Sequence, residues 1–141
     1  MEARKDIFVL RGLPGAGKST LAEILASSKG EKETSVICSA DHYQVDEKGD
    51  YKFSYENLGY AHGKCQAKFA QSIKDGINVI IVDNTNTLHR EFKDYEKQGK
   101  EAGYRVFIVA VGTLDRQLSY SRNSHDVPMD SINKMASRWQ P

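Results

Sequence analysis

The chain has 141 residues, the size of one ordinary domain, and its charges nearly cancel, with Lys+Arg 20 against Asp+Glu 19. This balance excludes attraction of nucleic acid or an anionic membrane by the whole molecule, so any polyanion must be held by a local patch. The two cysteines are too few for a disulfide framework, and their spacing matches no metal site. We therefore expect one domain over residues 1–141, cytoplasmic or nuclear, with no membrane span or targeting segment.

Short β-branched runs alternate with segments of helical period along the chain. The predicted strands are 7–10, 35–39, 79–82 and 106–111, and the predicted helices are 18–28, 55–74, 88–103, 114–122 and 129–139. Alternation of this kind predicts a parallel α/β sheet with right-handed crossovers. The polar stretches 29–34, 45–54 and 123–127 are expected to be surface loops.

The first predicted strand runs directly into a phosphate-binding loop. The pattern GxxxxGK(S/T) lies between an apolar strand and a helix, which is the context that the motif requires. The predicted loop comprises Gly12, Leu13, Pro14, Gly15, Ala16, Gly17, Lys18, Ser19 and Thr20. Its backbone N–H groups would surround the phosphates, an exposed Lys18 would add a point charge, and the Ser19 hydroxyl would ligate Mg²⁺. The sequence therefore predicts binding of a nucleoside triphosphate, namely ATP, with Mg²⁺.

The second predicted strand is followed by Asp41, at the edge of a parallel sheet where ligands bind. A carboxylate that faces the γ-phosphate could accept the proton of an attacking hydroxyl, so Asp41 is a candidate general base. The alternative is that it caps a turn. In the next helix, His62 and Cys65 lie three residues apart. Two ligands without a third make a poor zinc site, so core packing is the preferred interpretation.

The third predicted strand ends at Asp83, the position of an acidic residue that holds Mg²⁺ in loop-type NTPases. A turn aspartate is the alternative. Thr85 and Asn86 follow, and they could shape the turn or orient a substrate. The next helix has a basic face formed by Arg90, Lys93, Lys97 and Lys100. Acidic residues are interleaved with this face, which favours a solvated surface over a track for a phosphate backbone.

Arg122 ends the fourth predicted helix, just before the polar loop 123–127. A cation on a lid that closes over transferring phosphate would stabilise charge in the transition state. The alternative is an arginine at a helix C-terminus, where it interacts favourably with the helix dipole.

The chain resembles the P-loop kinase domain of the 5′-polynucleotide kinase group. The stretches that carry the resemblance are IFVLRGLPGAGKSTLA, SADHY, VIIVDNTNT, GYRV and RNSHDVP. Within that group it is similar to the kinase-like domain joined to 2′,3′-cyclic-nucleotide 3′-phosphodiesterases and to Nedd4-binding-protein-2-like domains. The resemblance implies a P-loop NTPase three-layer α/β sandwich with a parallel four- to five-stranded sheet. It also implies ATP-dependent phosphorylation of RNA or DNA 5′-hydroxyl ends.

The resemblance also assigns roles to individual residues. Lys18 and Ser19 match the phosphate and metal ligands, Asp41 matches the catalytic aspartate, and Arg122 with Asn123 matches the start of the lid.

Some positions depart from the phage-type kinases of this group. Gln44 stands where they have an arginine for the acceptor's phosphate, Asn84 replaces an aspartate, and the short lid offers only His125 besides Arg122. The chain has no HxT pair, which excludes phosphodiesterase chemistry for these residues. A polynucleotide 5′-hydroxyl kinase is the preferred interpretation. A nucleotide-binding or slow NTP-hydrolysing regulatory module and a small-molecule (nucleoside) kinase stay open, and the sequence does not predict the oligomeric state.

Overall fold

The computed structural model describes residues 3–141, in which strands and helices alternate as predicted. The strands are β1 (Asp6–Arg11), β2 (Ser35–Cys38), β3 (Val79–Asp83) and β4 (Arg105–Ala110). The helices are α1 (Lys18–Ser27), α2 (Leu58–Lys74), α3 (His89–Glu101), α4 (Arg116–Arg122) and α5 (Met129–Arg138). A short 3₁₀ turn at Ala40–Tyr43 follows β2.

The boundaries differ from the predicted ones by a few residues, for local reasons. The second helix begins at Leu58 rather than at Tyr55, because the backbone N–H of Asn57 closes a turn onto the carbonyl of Ser54 at 3.2 Å. The second strand ends at Cys38, because the next residue caps the 3₁₀ turn. Over residues 3–141, no helix has both the length and the apolar character needed to cross a bilayer.

The four strands form one parallel sheet in the order β2-β3-β1-β4. Strand β1 lies between β3 and β4, and Leu10 of β1 is opposite Asp83 of β3. Because the strands run in the same direction, the segments that follow β1, β2 and β3 meet at one edge of the sheet. These segments are the predicted phosphate loop, the turn that contains Asp41, and the residues after Asp83.

Helices cover both faces of this sheet, which is why all five residues of β3 are buried. On one face, α2 and α3 pack a core in which the rings of Phe69 and Tyr95 meet edge to face at 4.8 Å. On the other face, α1 places Ala22 against Leu10 and Ile81. The chain thus has the three-layer α/β arrangement that the resemblance implies, with four strands over residues 3–141.

Arg11 at the end of β1 ties the C-terminal helix to the sheet. Its guanidinium lies between the rings of Phe92 and Trp139, at 4.7 and 4.4 Å from their centroids. The same group donates hydrogen bonds to the backbone oxygens of Asn86 and Thr87 at 2.8 and 3.1 Å. These contacts hold the end of α5 beside the start of α3, at the edge of the sheet where the phosphate loop lies.

Both cysteines are buried in the core as free thiols. Burial is the largest influence on Cys38 and raises the pKa of its thiol to about 12. The sulfur of Cys65 accepts hydrogen bonds from the Asn84 amide and the Tyr95 hydroxyl at 3.5 and 3.4 Å. Core packing is therefore confirmed for Cys65. Within residues 3–141, no group of three or more His, Cys, Asp or Glu side chains is arranged to hold a metal ion.

Candidate active site

A cavity of about 730 Å³ lies at the carboxyl edge of the sheet. The phosphate loop, the residues after β2 and β3, the end of α4 and one face of α5 contribute to its wall. It brings together the predicted side chains of Lys18, Ser19, Asp41, Asp83 and Arg122. Residues that are far apart in the sequence thus share one concave site, as expected for an α/β sheet of this kind.

The phosphate loop is shaped by two glycines with left-handed backbone conformations. Gly15 has φ +76° and Gly17 has φ +100°, values that residues with a side chain rarely adopt. Gly17 directly precedes Lys18, the first residue of α1, and among residues 3–141 no side chain caps this helix start. The first N–H groups of α1 therefore lack intrahelical acceptors and, together with the helix dipole, favour an anion at this point.

Three residues of the predicted loop, Gly12, Leu13 and Ala16, lie behind the cavity wall. Leu13 is fully buried, and the backbone N–H of Gly12 donates to the carbonyl of Thr85 at 3.0 Å. A Cβ atom added at Gly12 would lie 2.7 Å from the carbonyl oxygen of Val111. These residues support the loop from beneath, and a direct contact with nucleotide stays a prediction for them.

Lys18 is buried, which corrects the prediction that it is exposed. Its side chain is held under the loop, where Nζ donates to the carbonyl oxygens of Gly12 and Leu13 at 2.9 and 3.0 Å. Burial lowers the pKa of the Lys18 ammonium, and the carboxylates of Asp83 and Asp41 oppose this effect. The loop wraps around the side chain, which is a consequence of its glycine turns that the motif alone does not reveal. The ammonium is thereby positioned before any ligand arrives.

Ser19 and Asp83 meet next to this ammonium. The Ser19 hydroxyl donates to Oδ2 of Asp83 at 3.1 Å. Burial is the largest influence on Asp83 and raises the pKa of its carboxyl, while Lys18 and the hydrogen bond from Ser19 act in the opposite direction. A hydroxyl and a carboxylate side by side are the oxygen donors that Mg²⁺ takes together with substrate phosphates. The residues present therefore fit a magnesium ion.

Asp41 lies in the 3₁₀ turn, with its side chain half exposed at the cavity. The turn is capped by Ser39, whose hydroxyl oxygen accepts from the backbone N–H of Asp41 at 3.2 Å. The structure thus gives the capping role to Ser39. The carboxylate of Asp41 instead contacts Nδ1 of His125 at 3.3 Å, a histidine in the segment that follows α4.

The end of α4 packs directly on the phosphate loop. The Ser119 hydroxyl donates to the carbonyl oxygen of Pro14. Asn123 accepts from the backbone N–H of Val127 at 2.8 Å and so closes the turn that follows the helix. We call residues 122–127 the lid segment. It begins with Arg122 on the cavity wall beside the phosphate loop and extends across the cavity through His125 to Asp41.

Replacing Gly15 with alanine is expected to displace the end of α4. The new Cβ would lie 2.7 Å from both the Ser119 oxygen and the Asn123 nitrogen, in addition to the strain of its positive φ. Hydrogen exchange should become faster in the amides of residues 116–127. Gly17→Ala is the matched control, because its φ is also positive but no heavy atom lies within 4 Å of the added carbon. Equal protection of α4 in the two variants would contradict the packing described here.

Gln44 has a structural role that the sequence does not predict. It is 1% exposed, and its amide nitrogen donates to the carbonyl of Ser54 at 3.2 Å. Its amide oxygen accepts from the Ser54 backbone N–H and the Asn57 side chain at 3.3 and 3.2 Å. Gln44 therefore closes the base of loop 45–54, and it does so at the position where phage-type kinases have an arginine.

The residues after β3 mainly shape the backbone. The side-chain oxygen of Asn84 accepts from the backbone N–H of Ala40 at 2.9 Å, which joins the ends of β2 and β3. Asn86 has φ +46° and donates to the Leu10 carbonyl at 2.8 Å. Of the two roles open for the residues after Asp83, Asn86 therefore has the turn-shaping one, whereas Thr85 lines the cavity.

Two further groups of side chains line the cavity wall, and neither is among the site residues predicted from the sequence. One consists of the aromatic residues Tyr51, Phe53 and Tyr55, and the other of Lys134 and Arg138 on α5. The signal in the sequence is their spacing, since alternate residues of an extended segment share one side and residues four apart share one helical face. His62 is only partly buried and lines the cavity, so the core-packing interpretation is wrong for this residue. Burial lowers the pKa of its imidazole.

The predicted basic face of α3 divides into two parts. Arg90, at the start of the helix, lines the cavity. Lys93, Lys97 and Lys100 are exposed away from it, and Lys100 pairs with Glu96 at 3.3 Å. All four side chains are exposed, as the solvated-face interpretation predicts, and Arg90 in addition lies at the cavity.

Comparison with known proteins agrees with this geometry. A family model described as AAA domain matches residues 7–141. NEDD4-binding protein 2 of Homo sapiens is 33% identical over 138 residues, which cover 95% of this chain and 8% of that protein. The 2′,3′-cyclic-nucleotide 3′-phosphodiesterase of Rattus norvegicus is 28% identical over 136 residues, which cover 93% of this chain and 30% of that protein. The chain thus spans less than a third of the length of either relative.

A chain in the structure of the Pnkp1/Rnl/Hen1 RNA repair complex has the same fold. The TM-score is 0.69 at 19% identity, and the match covers 98% of this chain and 45% of the other. At that identity the likeness shows the shared P-loop kinase-like architecture alone. Together with the two relatives, it confirms the resemblance that the sequence motifs indicate.

Proposed function

The chain belongs to the AAA domain family, and we propose that it is an ATP-dependent phosphotransferase of the polynucleotide 5′-hydroxyl kinase type. The observation that carries the proposal is that Asp41 lines the same cavity as the phosphate loop. Binding a nucleotide requires the loop, whereas transferring its terminal phosphate also requires a base for the acceptor hydroxyl. The phosphate loop and the Asp41 carboxylate share one cavity of about 730 Å³, which supports the proposal that an acceptor binds there.

The triphosphate would be held by the phosphate loop and the start of α1. Lys18 neutralises charge on the phosphates from beneath, and the free N–H groups of α1 donate from the front. Ser19 and Asp83 would hold Mg²⁺, which when bound supplies further positive charge to the phosphate oxygens. Because Lys18 is already held at its position by Gly12 and Leu13, little reorganisation is needed on binding.

Asp41 would accept the proton of the acceptor hydroxyl. As that proton leaves, the hydroxyl oxygen bonds to the γ-phosphorus, and the bond from this phosphorus to the bridging oxygen of ADP breaks. The half-exposed carboxylate of Asp41 is open to the cavity, where an acceptor can approach it. The contact with His125 at 3.3 Å orients the carboxylate from the lid segment.

One assay distinguishes this activity from the alternatives. The protein is incubated with γ-labelled ATP alone, with nucleosides, and with 5′-hydroxyl RNA and DNA oligomers. Labelled oligomer supports the polynucleotide kinase, and labelled nucleoside supports a small-molecule kinase instead. Released phosphate without a labelled acceptor would indicate slow hydrolysis by a regulatory module and would contradict the proposal.

Arg122→Ala is expected to lower the transfer rate about 10- to 100-fold while changing ATP affinity much less. Arg122 stands on the cavity wall next to the phosphate loop, where its charge would meet negative charge that develops during transfer. The rate at saturating ATP and the dissociation constant for ATP are measured separately.

The matched control is Arg116→Ala, at the other end of α4. Its guanidinium donates to Ser137 at 3.0 Å, and it does not line the cavity. Equal losses of rate and affinity in Arg122→Ala would mark a ground-state contact. If Arg122→Ala transfers phosphate as fast as Arg116→Ala does, Arg122 has no role in transfer and only interacts with the helix C-terminus.

A further inference from the structure

The cavity extends well beyond the phosphate loop and is more basic than the rest of the molecule. The cations on its wall are Lys18, Arg90, Arg122, Lys134 and Arg138, and the carboxylates are Asp41, Asp83 and Glu91. The chain as a whole is nearly neutral, with Lys+Arg 20 against Asp+Glu 19. The excess of positive charge is therefore concentrated in this cavity, which is the local patch that binding of a polyanion requires.

Three of these cations lie away from the phosphate loop, at the junction of α3 and α5. Lys134 and Arg138 are one helical turn apart and share the cavity face of α5 with Ser131. The Nε atom of Arg138 donates to the Thr87 hydroxyl at 2.9 Å, which fixes this guanidinium next to the start of α3. Arg90 lies in the first turn of α3, so it joins the same group.

The acidic residue among these cations is already engaged. The carboxylate of Glu91 accepts from the Thr87 hydroxyl at 2.8 Å and from the backbone N–H of Leu88 at 3.3 Å. It serves the N-terminus of α3, where a negative charge is favourable. The hydrogen bonds of Glu91 thus come from Thr87 and Leu88, and neither comes from Lys134.

Aromatic side chains from one segment supply another part of the wall. Tyr51, Phe53 and Tyr55 alternate along residues 51–55, so that their rings line the same cavity. The rings of Phe53 and Tyr55 pack edge to face at 4.8 Å, and the Tyr51 ring stacks on His125 at 4.1 Å. Tyr55 is 62% exposed although its hydroxyl is tied to Ser131 on α5. A large ring that is both anchored and exposed is a ready surface for stacking.

We infer that these residues form a subsite for the unpaired nucleotides that follow the reacting 5′-hydroxyl of an RNA or DNA strand. Bases stack on the rings of Phe53 and Tyr55, and Lys134 and Arg138 contact the backbone phosphates between them. This inference rests on the proposed kinase activity and names the part of the acceptor that the protein holds. It also gives the position of the acceptor's phosphate contact, on α5 rather than at Gln44.

Single strands are the class of acceptor that fits this wall. Aromatic rings stack on bases only where the bases are not paired within a duplex, and rings combined with cations are the usual construction of single-strand sites. A small nucleoside acceptor would reach Asp41 without extending to Lys134 and Arg138.

The test is binding of a fluorescent single-stranded 5′-hydroxyl RNA of about ten nucleotides, followed by anisotropy at several salt concentrations. Lys134→Gln combined with Arg138→Gln is expected to weaken binding about 10-fold. It should also reduce the slope of log affinity against log salt concentration by roughly one to two, because fewer counterions are released. Phe53→Leu is expected to weaken binding about 5-fold or more without changing the salt dependence, since it removes stacking and no charge. A blunt duplex should bind more weakly than the single strand.

The matched control is Lys93→Gln combined with Lys97→Gln, which removes the same charge from the exposed face of α3 outside the cavity. Lys134→Gln alone is also measured, because Arg138 has a structural contact with Thr87. Binding that is no weaker in the cavity variants than in the control would overturn the subsite, as would equal affinity for duplex and single strand.

Transfer of labelled phosphate to the same RNA is measured in parallel, so that the two proposals fail separately. If the RNA is labelled and its KM is unchanged in the Lys134 and Phe53 variants, the subsite is overturned but the kinase activity is supported. Binding that depends on these residues without any labelled product would contradict the kinase activity.

Discussion

Lys18→Ala is expected to lower ATP-dependent phosphate transfer by about 10²- to 10³-fold or more, the usual cost of removing a preorganised charge from a transferring group. Lys18 is held under the phosphate loop by the carbonyls of Gly12 and Leu13, next to Asp83. No other cation on the cavity wall is enclosed by the loop in this way among residues 3–141. The loss is therefore expected both in the transfer rate and in ATP affinity.

The structure requires a control for stability in this experiment, because alanine at position 18 also leaves two loop carbonyls without their donor. Lys68→Ala is a suitable match. The Lys68 ammonium likewise donates to a backbone carbonyl, that of Ile37 at 2.9 Å, but it lies outside the cavity. Both variants should lose some thermal stability, and only Lys18→Ala should lose activity.

Millimolar ATP with Mg²⁺ provides a second measurement on the same proteins. Ligand that binds the folded state raises the melting temperature by mass action, so the wild type and Lys68→Ala should be stabilised. Lys18→Ala should show a much smaller shift. Turnover by Lys18→Ala at the wild-type rate would contradict the assignment of the phosphate loop as the active site.

The parts of the fold and site that the sequence predicts are those fixed by local pattern. The phosphate loop was predictable because its glycines, Lys18 and Ser19 are adjacent in the chain and lie between a strand and a helix. The positions of Asp41 and Asp83 followed from one topological rule, that the carboxyl ends of parallel strands meet at one edge. The four strands were predictable because β-branched runs such as residues 79–82 have few other stable environments.

The parts that were not predicted depend on contacts between distant segments. The burial of Lys18 is an exception, since its contacts with Gly12 and Leu13 are local and depend on the backbone conformation of the loop. The structural role of Gln44 depends on Ser54 and Asn57, which lie on the far side of loop 45–54. In the same way, the position of Lys134 depends on the packing of α5 at the edge of the sheet, where the Arg11 guanidinium contacts the rings of Phe92 and Trp139. Local periodicity contains no information on such pairings.

This distinction bears on the proposed function. In the sequence, the missing arginine at Gln44 and the short lid are the two features that favour the alternative of a regulatory module over the preferred kinase interpretation. In the structure, Gln44 anchors the end of loop 45–54, where Phe53 and the next aromatic residue, Tyr55, line the cavity. The departure from the phage-type pattern therefore has a structural role here, and it does not by itself favour the regulatory module over the proposed kinase.

Asp41→Asn is expected to separate phosphate transfer from nucleotide binding. The substitution keeps the size of the side chain and its ability to contact His125, but it removes the basicity that accepts the hydroxyl proton. Transfer to a 5′-hydroxyl oligomer should fall by roughly 10²-fold or more, which lies within the range of general-base contributions. ATP affinity should stay close to the wild-type value, because Lys18, Ser19 and the start of α1 are unchanged.

Asp46→Asn is the matched control for this experiment, because it removes the same charge from the neighbouring loop. The Asp46 side chain accepts from the backbone N–H groups of Lys48 and Asp50 at 2.9 and 3.0 Å, contacts that the asparagine oxygen can retain. Asp46 does not line the cavity of the phosphate loop. Its variant should therefore transfer phosphate at the wild-type rate, which shows that a change of net charge near the loop is not the cause of the loss.

The outcome decides between the kinase and the regulatory module on chemical grounds. A module that only binds nucleotide has no proton to remove, so its wild type would bind ATP, label no oligomer, and respond to Asp41→Asn only through stability. A kinase whose base is Asp41 must lose transfer in that variant and regain none of it at higher ATP concentration, because the ATP site is already intact. Transfer by Asp41→Asn at the rate of Asp46→Asn would therefore remove Asp41 from the mechanism, and a wild type that binds ATP tightly yet labels no 5′-hydroxyl RNA or DNA would refute the kinase.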